Sequence, residues 1–547
     1  MSIEDQNAVV GAPLVDMSVV AGAGSGKTKT AIDRVLATLE RIPTHCKVAL
    51  LSFSNVAVNT FRQGLGAQKA DTGRVTVATF DSFFTQYVLL PYAASVMQSA
   101  EKPYLVLGEE PFLAAFSILH GGRAHPISDL KIHMGAQGPQ ALFGNQQIPW
   151  YIAEAAIVRL GRTGAYTYDT GRYWTYRTLL ALPFLVQLLV SRYPQMLIDE
   201  AQDIGSMDWA VLGILRANGI QVAMIGDPAQ AIFGFNGGDG AYLRSYIQMQ
   251  EVQHFSLRTN FRSVPAIVAC ANSLTGRNDA AARMALPTHS GAFIVPYDPA
   301  DPRQVLNHFQ GVLHPLGYAA DEIAVICRAT ALVAHVRGGT LNRGAGLVKK
   351  FVKAVDHRLA NEYHLAYKEC VGVIGALLDP LMPRFREFVD EPNIALSRAV
   401  KSRIWLFTCD HDNGLPHSQL NARSVWKPLL VRNLRILIGD LAALGFTFGD
   451  ISQKITTRDL EDSPLVEPRH AVRVDTVHQV KGESIGAVLY IASEQHAASM
   501  LGGAVTENGR IGYVALTRAR DVFWLAVPAN SYAQLLPRAA AVGIRPL

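Results

Sequence analysis

A lysine set between a glycine and a threonine is the first place where the residue types indicate a particular chemistry. The sequence from 21 to 28 is AGAGSGKT, after the apolar pair Val19-Val20. Glycines let backbone N–H groups turn inward around phosphates, and a helix N-terminus adds the positive end of its dipole. Lys27 would then reach the β- and γ-phosphates, and the Thr28 hydroxyl would ligate Mg²⁺. The predicted phosphate contacts are Ala21, Gly22, Ala23, Gly24, Ser25, Gly26, Lys27 and Thr28.

Two adjacent carboxylates form the second signal. The apolar run 196–198 ends abruptly in Asp199 and Glu200. At the tip of a strand, Asp199 can hold Mg²⁺ directly or through water, and Glu200 can polarise an attacking water. Two acids at one strand tip are costly unless a cation lies between them. With the lysine loop, this pair predicts a nucleoside triphosphatase, without indicating what the hydrolysis drives.

Alternating strand and helix patterns supply the elements that position these residues. A helix is predicted over 28–40, and buried strands are predicted over 47–53, 75–80, 195–198, 221–225, 323–327, 487–491 and 522–527. The pattern predicts an α/β fold with two parallel sheets, each interrupted by a mostly helical insertion. Such sheets bind ligands outside the carboxyl ends of their strands.

Composition narrows the class of protein. Of 547 residues, 49% are apolar and only 17% are charged, so the chain can bury large cores, and disorder as its main character is excluded. The net charge of +5 excludes a histone-like polybasic binder. Five cysteines without a C-x-x-C pair predict buried, unpaired thiols. The N-terminus has no basic signal region, and the longest apolar run (179–190) is too short to cross a bilayer. We therefore expect a cytoplasmic protein with no membrane partner. The apolar run is expected to form a core helix.

Several further segments, in order, resemble the UvrD/Rep/PcrA group of superfamily 1 DNA helicases. The resemblance implies two RecA-like domains of the P-loop NTPase class, with ATP and Mg²⁺ as cofactors. The segments are IEDQNAV (3–9), LSFSN (51–55), TFDSF (79–83), GDPAQAIFGFNG (226–237), NFRS (260–263), TVHQVKGES (476–484) and YVALTRAR (513–520).

The resemblance assigns roles around ATP. Gln6 would contact the adenine edge, and Glu483 is carried over as a nucleotide contact, one place away from its usual position in the family. Gln230 would sense the γ-phosphate, Arg262 would contact it, and Arg518 would be the arginine finger that stabilises transition-state charge. The lysine loop, the carboxylate pair and the resemblance together give six predicted catalytic residues. They are Lys27, Asp199, Glu200, Gln230, Arg262 and Arg518.

The resemblance also implies contacts with single-stranded DNA. Aromatic faces stack on bases, and hydroxyls, amides and lysines contact phosphates. Asp81 and Asn236 depart from the family, which usually has histidine and arginine at these places. The implied DNA-binding residues are Phe53, Asn55, Thr79, Phe80, Phe233, Phe235, Thr476, His478 and Lys481.

The expected division of the chain follows the helicase subdomains. The first RecA-like domain is expected over 1–86 and 190–256, interrupted by a helical insertion over 87–189. The second is expected over 257–333 and 466–547, interrupted by a short helical insertion over 334–465. No nuclease domain is expected in the chain. From Arg337 to Asp440 there are 16 Lys and Arg against 10 Asp and Glu, a net +6 that is a regional hint of duplex contact.

The leading hypothesis is an ATP-dependent single-stranded DNA translocase and helicase, 3′ to 5′, in repair, replication or genome defence. Its partners would be single-stranded and tailed duplex DNA. The alternative is a DNA-stimulated ATPase subunit that works with a partner nuclease or repair protein and does not unwind alone. RNA stays open, because stacking and phosphate contacts tolerate either sugar. A phosphotransferase would not explain Gln230, Arg262 and Arg518 in motif order.

Overall fold

The computed structural model divides the chain into two compact units. The first unit comprises 1–333 and 472–547, and the second comprises 334–471. The structure describes residues 4–68, 72–108, 110–144, 146–232, 234, 237–284, 290–337, 346–359, 362–382, 384–391, 393–456, 460, 462, 464–465 and 472–547.

The first unit contains two six-stranded sheets in which all neighbouring strands are parallel. The first sheet has the spatial order Gln253–Leu257, Met17–Ala21, Gln221–Gly226, Gln195–Asp199, Val48–Ser52 and Val75–Thr79. The second sheet has the order Arg473–Thr476, Ile323–Cys327, Ile485–Ile491, Ala519–Pro528, Gly291–Tyr297 and Arg545–Pro546. The predicted α/β fold with two parallel sheets is confirmed.

Continuous apolar runs form the central strands because helices cover both faces of each sheet. Every residue of Val48–Ser52 and of Gln195–Asp199 is buried. The α-helices of the first unit are Glu4–Gly11, Lys27–Leu39, Asn55–Ala67, Phe80–Phe84, Ala94–Met97, Trp150–Arg162, Tyr168–Ala181, Pro183–Arg192, Ser206–Ala217, Ala241–Ile247, Pro265–Thr275, Arg303–Leu313, Thr330–Arg337 (which runs into the second unit), Glu494–Leu501, Glu507–Arg518 and Ala529–Ala541.

The segment expected as a helical insertion over 87–189 contains more strand than expected. Its middle part forms small sheets of two or three strands, beside a π-helix at Thr85–Ala93. Alternation between turn residues and short apolar stretches supports such hairpins, which a search for long strands passes over. The short strands are Tyr104–Leu105, Ile118–His120, Arg123–His125, Lys131–Gly135, Gly138–Phe143, Gln146–Ile148 and Ala165–Tyr166.

The expectation of one core helix over 179–190 is wrong. The chain forms two helices there, Tyr168–Ala181 and Pro183–Arg192, bent by 98°. Pro183 disfavours helical backbone at the residue before it, and Leu182 accordingly has φ −126° and ψ 75°. The second helix is half-exposed, with Phe184 53% accessible.

Within the described residues, no single helix is long and apolar enough to cross a membrane, and this bent pair passes the same test only when its two helices are taken together. The expectation of thiols outside disulfides is confirmed, since none of the five cysteines forms a disulfide and four of them are buried.

The second unit is helical. A core around Trp426, Phe351 and Phe407 joins its helices. Arg358, 4% exposed, donates hydrogen bonds to the carbonyls of Thr408, Leu415 and Pro416, so its buried charge is solvated by backbone. The α-helices that lie within this unit are Gly346–Leu359, Tyr363–Leu377, Phe385–Asp390, Ala395–Cys409, Lys427–Ala442 and Ile451–Lys454, with a π-helix at Ala422–Trp426.

Candidate nucleotide-binding site

The loop between the strand Met17–Ala21 and the helix Lys27–Leu39 has the shape that a phosphate needs. Gly24 and Gly26 have φ of 74° and 83°, in the left-handed region that favours glycine. A Cβ on Gly24 would lie 2.6 Å from the Arg262 Cβ, so glycine also allows that arginine to approach. No side chain caps the helix at Gly26, which leaves its first N–H groups available to an anion.

The two predicted carboxylates lie beside this loop. Asp199 ends its strand and is 4% exposed, and its Oδ2 accepts a hydrogen bond from the Ser52 hydroxyl at 3.4 Å. Glu200 follows with φ 54°, a strained conformation for a residue other than glycine. Lys27 Nζ lies 3.7 Å from Glu200 Oε1. The predicted lysine loop and acidic strand tip are therefore in contact.

Burial and mutual repulsion separate the proton affinities of the two acids. Burial, and then the charge of Glu200, raise the pKa of Asp199 above its usual range. Burial also raises the pKa of Glu200, but Lys27 and Lys481 outweigh it, so the net shift is downward. A buried carboxyl that resists ionisation until a cation arrives suits a divalent metal.

The donor set at the strand tip fits Mg²⁺ supplied with a nucleotide. Asp199 and the Thr28 hydroxyl line the same cavity and offer the oxygen ligands that Mg²⁺ prefers. Among the described residues, no three His, Cys, Asp or Glu side chains cluster into a metal cage. The residues thus suit an ion that keeps waters and phosphate oxygens as its other ligands.

Two arginines, half-buried Arg262 and buried Arg518, complete the site from segments next to the second sheet. Arg518 is 1% exposed and donates to Gln230 Oε1 at 3.3 Å. Arg262 donates to the Thr517 carbonyl at 3.0 Å, and burial together with the charge of Arg518 lowers the pKa of Arg262 to about 9. In the described part of the chain, the guanidinium groups of Arg262 and Arg518 donate their hydrogen bonds to carbonyl, amide and hydroxyl oxygens. Two neighbouring arginine cations whose hydrogen bonds go to neutral groups favour binding of an anion.

A cavity of about 1110 Å³ joins these groups. Gln6 lies at the phosphate loop, where its Nε2 donates to the Ser25 carbonyl at 3.2 Å. Phe261, 41% exposed, lines the same cavity next to Gly26. We did not single out Phe261 from the sequence, although it stands between Asn260 and Arg262 in a segment that we did. Its ring and the Gln6 amide offer a stacking face and a hydrogen-bonding edge to one base.

Three residues predicted to contact DNA, Thr476, His478 and Lys481, contact other groups of the protein in this structure. Lys481 contacts Asp203 Oδ2 at 2.5 Å and lies 3.8 Å from Glu200. The Thr476 hydroxyl donates to Gln479, and His478 Nε2 lies 3.2 Å from the Ile232 carbonyl oxygen.

Glu483 lines the cavity but its two oxygens form a bidentate ion pair with Arg473, at 2.6 and 3.0 Å. The guanidinium therefore competes with any nucleotide hydroxyl for the Glu483 carboxylate. Burial lowers the pKa of His478, so this side chain is neutral near pH 7 and offers no charge to a phosphate.

The remaining residues predicted to contact DNA differ in how far their side chains are exposed to solvent. Asn55 is exposed and Phe53 is half-buried, with its ring stacked on Phe80 at 5.5 Å. Phe80 itself is 3% exposed and packs in the core, so its faces are not available to a base. The Thr79 hydroxyl caps the helix Phe80–Phe84 by accepting from the Ser82 N–H at 3.1 Å. Phe233 and Phe235 lie outside the described residues.

Asp81, where the resembled family usually has histidine, is neutralised by Arg172. The guanidinium donates to both Asp81 oxygens, at 3.0 and 3.1 Å, and its Nε also lies 3.2 Å from Asp208 Oδ1. Asp208 first, and then Asp81, raise the pKa of Arg172. The acid is therefore paired within the protein, and Arg172 was not indicated by the sequence.

The fold and the site together have the features of the P-loop nucleotide-binding class, with two parallel sheets beside one candidate phosphate site. A model of the UvrD/REP helicase N-terminal domain matches residues 2–116 and 166–250. By this match and by the order of its motifs, the chain is similar to UvrD/Rep-like helicases over part of its length.

Curated relatives agree with this placement. The chain is similar to DNA helicase II of Salmonella typhimurium, 23% identical over 296 residues, 50% of this chain and 40% of the relative. It is similar to ATP-dependent DNA helicase UvrD1 of Mycobacterium bovis, 25% identical over 324 residues, 53% of this chain and 41% of the relative. A stretch of 78 residues is 40% identical to RecBCD enzyme subunit RecB of Mycolicibacterium smegmatis, 14% of this chain and 7% of the relative. The matched regions thus span less than half the length of these relatives.

Proposed function

We propose that this chain is an ATP-driven motor that moves along single-stranded DNA and separates duplexes. The observation that supports it best is the shared cavity, in which Lys27 and Glu200 of the first sheet meet Arg262 and Arg518 from segments of the second. Hydrolysis then requires groups from both halves. Closing on ATP and opening after hydrolysis become a mechanical cycle.

In this proposal, each side chain acts on ATP by position and charge. Lys27 and the loop N–H groups bind the phosphates, and Glu200 orients the attacking water. Arg262 and Arg518 offset the negative charge that develops on the transferred phosphoryl group. Mg²⁺, held by Thr28 and Asp199, would supply charge neutralisation between the phosphates.

A path for a single strand is supported by the cavity beyond the nucleotide. The cavity continues past Phe53 and Thr79 to Tyr168, which adds an aromatic ring. Tyr168 is 53% exposed and can stack on a base. The similarity to DNA helicases favours DNA as the polymer.

A duplex contact is best supported in the second unit. A groove of about 470 Å³ is lined by Arg423, Lys427, Arg432 and Arg435. Helical spacing brings these side chains to one face of Lys427–Ala442 and the turn before it, opposite the buried leucines. This face lies within 337–440, the region of the basic excess in the sequence, and it suits a phosphate backbone.

Hydrolysis and strand displacement, measured on the purified chain, test the proposal. We expect hydrolysis to rise with single-stranded DNA and displacement on duplexes with a 3′ tail but not a 5′ tail. A chain without DNA-stimulated hydrolysis would not be a motor of this kind. An RNA strand of the same sequence is the matched control for the sugar.

The second candidate is a DNA-stimulated ATPase subunit of a larger assembly. The stretch that resembles a RecBCD subunit favours it, because that relative is named as one subunit of an enzyme. Stimulated hydrolysis without strand displacement, restored by adding a partner nuclease or repair protein, is the result expected for this alternative. Displacement by the chain alone excludes it.

A further inference from the structure

A ring of side chains joins the two halves of the nucleotide site. Asp227 follows the strand Gln221–Gly226 of the first sheet and is 1% exposed. Its Oδ2 accepts hydrogen bonds from Gln230 Nε2 at 2.9 Å and from the Tyr513 hydroxyl at 3.0 Å. Tyr513 lies on the helix Glu507–Arg518, which precedes a strand of the second sheet. The same helix ends in Arg518, whose Nη2 donates to Gln230 Oε1.

Donor and acceptor rules allow the Gln230 amide only one orientation in this ring. A carboxylate accepts only, and a guanidinium donates only. The nitrogen of Gln230 must therefore face Asp227, and its oxygen must face Arg518. The orientation of Gln230 thus depends on where Asp227 is held.

Tyr513 holds Asp227 from the opposite half of the site. Its hydroxyl binds the same oxygen that Gln230 uses, and Tyr513 is 2% exposed, so water does not replace this bond. On the other oxygen, Asp227 accepts from the Ala229 N–H at 3.1 Å, with Arg277 at 3.9 Å. The carboxylate is fixed from both sides only when the helix Glu507–Arg518 lies against the first sheet.

We propose that Tyr513 is a positioning residue for hydrolysis: through Asp227, its hydroxyl orients the Gln230 amide toward Arg518 only when the two halves are closed. This inference rests on the proposed function. Tyr513 touches no phosphate in this scheme and acts only through Gln230. Hydrolysis is thereby coupled to closure, because an open site loses the bond that orients the amide.

Tyr513→Phe is the test, because it removes only the hydroxyl from a buried ring. We expect kcat for ATP hydrolysis with single-stranded DNA to fall about 10- to 100-fold, while KM for ATP stays within about twofold. Tyr490→Phe is the matched control, since Tyr490 is also fully buried in the first unit and its hydroxyl has no hydrogen-bond partner among the described residues. The control should keep the wild-type kcat.

A double-mutant cycle with Gln230→Ala separates positioning from structural support. If Tyr513 acts through Gln230, Tyr513→Phe has no further effect on kcat in the Gln230→Ala background. Additive losses, or a wild-type kcat in Tyr513→Phe, would overturn the inference while leaving the motor intact. A wild-type chain without any ATP hydrolysis would overturn both proposals. If Tyr513→Phe does not fold, Asp227→Asn, which keeps the side-chain size, enters the same cycle with the same expected outcomes.

Discussion

Lys481 and Asp203 form a buried ion pair across the two halves of the first unit. Nζ lies 2.5 Å from Oδ2, and the two side chains are only 8% and 6% exposed. Asp203 lies just after the acidic strand tip of the first sheet, and Lys481 follows the strand Arg473–Thr476 of the second. With Glu200 3.8 Å from the same Nζ, the pair brings Lys481 next to the candidate nucleotide site.

Replacing Lys481 with methionine therefore tests a prediction about hydrolysis. Methionine keeps a long apolar stem but removes the charge that offsets Asp203 and Glu200. We expect kcat for ATP to fall at least about tenfold and the free energy of unfolding to fall by about 3 kcal/mol, because a buried carboxylate loses its partner. Affinity for single-stranded DNA, measured by fluorescence anisotropy, should stay within about twofold. Weaker DNA binding at unchanged kcat would restore the DNA contact implied by the family resemblance.

Much of this arrangement is predictable from sequence, because local patterns decide it. The strand predicted over 47–53 is observed at Val48–Ser52, and Lys27, Asp199, Arg262 and Arg518 all line one cavity. Both kinds of pattern depend only on residues that are close together in the chain. One is an apolar run bounded by turn residues, and the other is a glycine-rich loop before a helix.

Partners distant in the chain could not be predicted in this way. Lys481 and Asp203 are separated by 278 positions, and Tyr513 and Asp227 by 286. Phe80 illustrates the same limit, since whether its ring faces solvent or core depends on Phe53, which stacks on it, and on Phe84, which packs against it at a tilt. Motif resemblance supplies the residue types at a site, but the contacts among them follow from the packing of two sheets.

Glu200→Gln should separate nucleotide binding from turnover. Glutamine keeps the size of the side chain and removes its capacity to take a proton from water, and such groups contribute about 10²- to 10⁴-fold. We expect kcat to fall within this range while ATP and DNA affinities persist. Lys27→Ala is the contrasting variant, because it removes the cation beside the phosphates and should weaken ATP binding itself. Equilibrium binding of a fluorescent ATP analogue and steady-state hydrolysis measure the two effects.

Arg518→Ala should lower turnover far more than ATP affinity. The guanidinium is buried, held by the Val514 and Glu483 carbonyls, and aimed at Gln230. Its charge is worth most when negative charge develops on the phosphoryl group, so we expect kcat to fall by about 10³-fold or more. Arg518→Lys keeps a charge without the planar fork and should recover little activity. A fall in affinity alone would mean that Arg518 binds the ground state.

Phe261→Ala should raise KM for ATP with little change in kcat. The ring is 41% exposed in the cavity beside Gly26 and offers a face to a base. Loss of base stacking costs about 1–3 kcal/mol, which corresponds to roughly a tenfold rise in KM. Phe261→Tyr preserves the face and should behave as wild type. An unchanged KM in the alanine variant would place the base elsewhere in the cavity.

The proton affinity of Asp203 predicts how stability depends on pH. Burial is the main cause that raises its pKa from 3.8 to about 6, with Lys481 opposing and Glu200 adding to the shift. Because the folded pKa lies above the unfolded one, the folded state binds the proton more tightly. Stability from this group is therefore present below pH about 4 and is lost as the pH rises to about 6. The shift of about two pKa units corresponds to about 3 kcal/mol.

Asp203→Asn should flatten this part of the stability curve. Asp199 and Asp208 also have raised pKa values, so a slope of the same sign should persist at reduced size. The comparison uses slopes, because the substitution also changes the free energy of unfolding by an amount that does not depend on pH. Thermal unfolding from pH 4 to 7 measures the slope of the free energy of unfolding against pH. Asp298→Asn, at an exposed position, is the matched control. An Asp203→Asn slope equal to that of wild type would mean that Asp203 ionises as it does in the unfolded chain, and that its ion pair with Lys481 fully offsets burial.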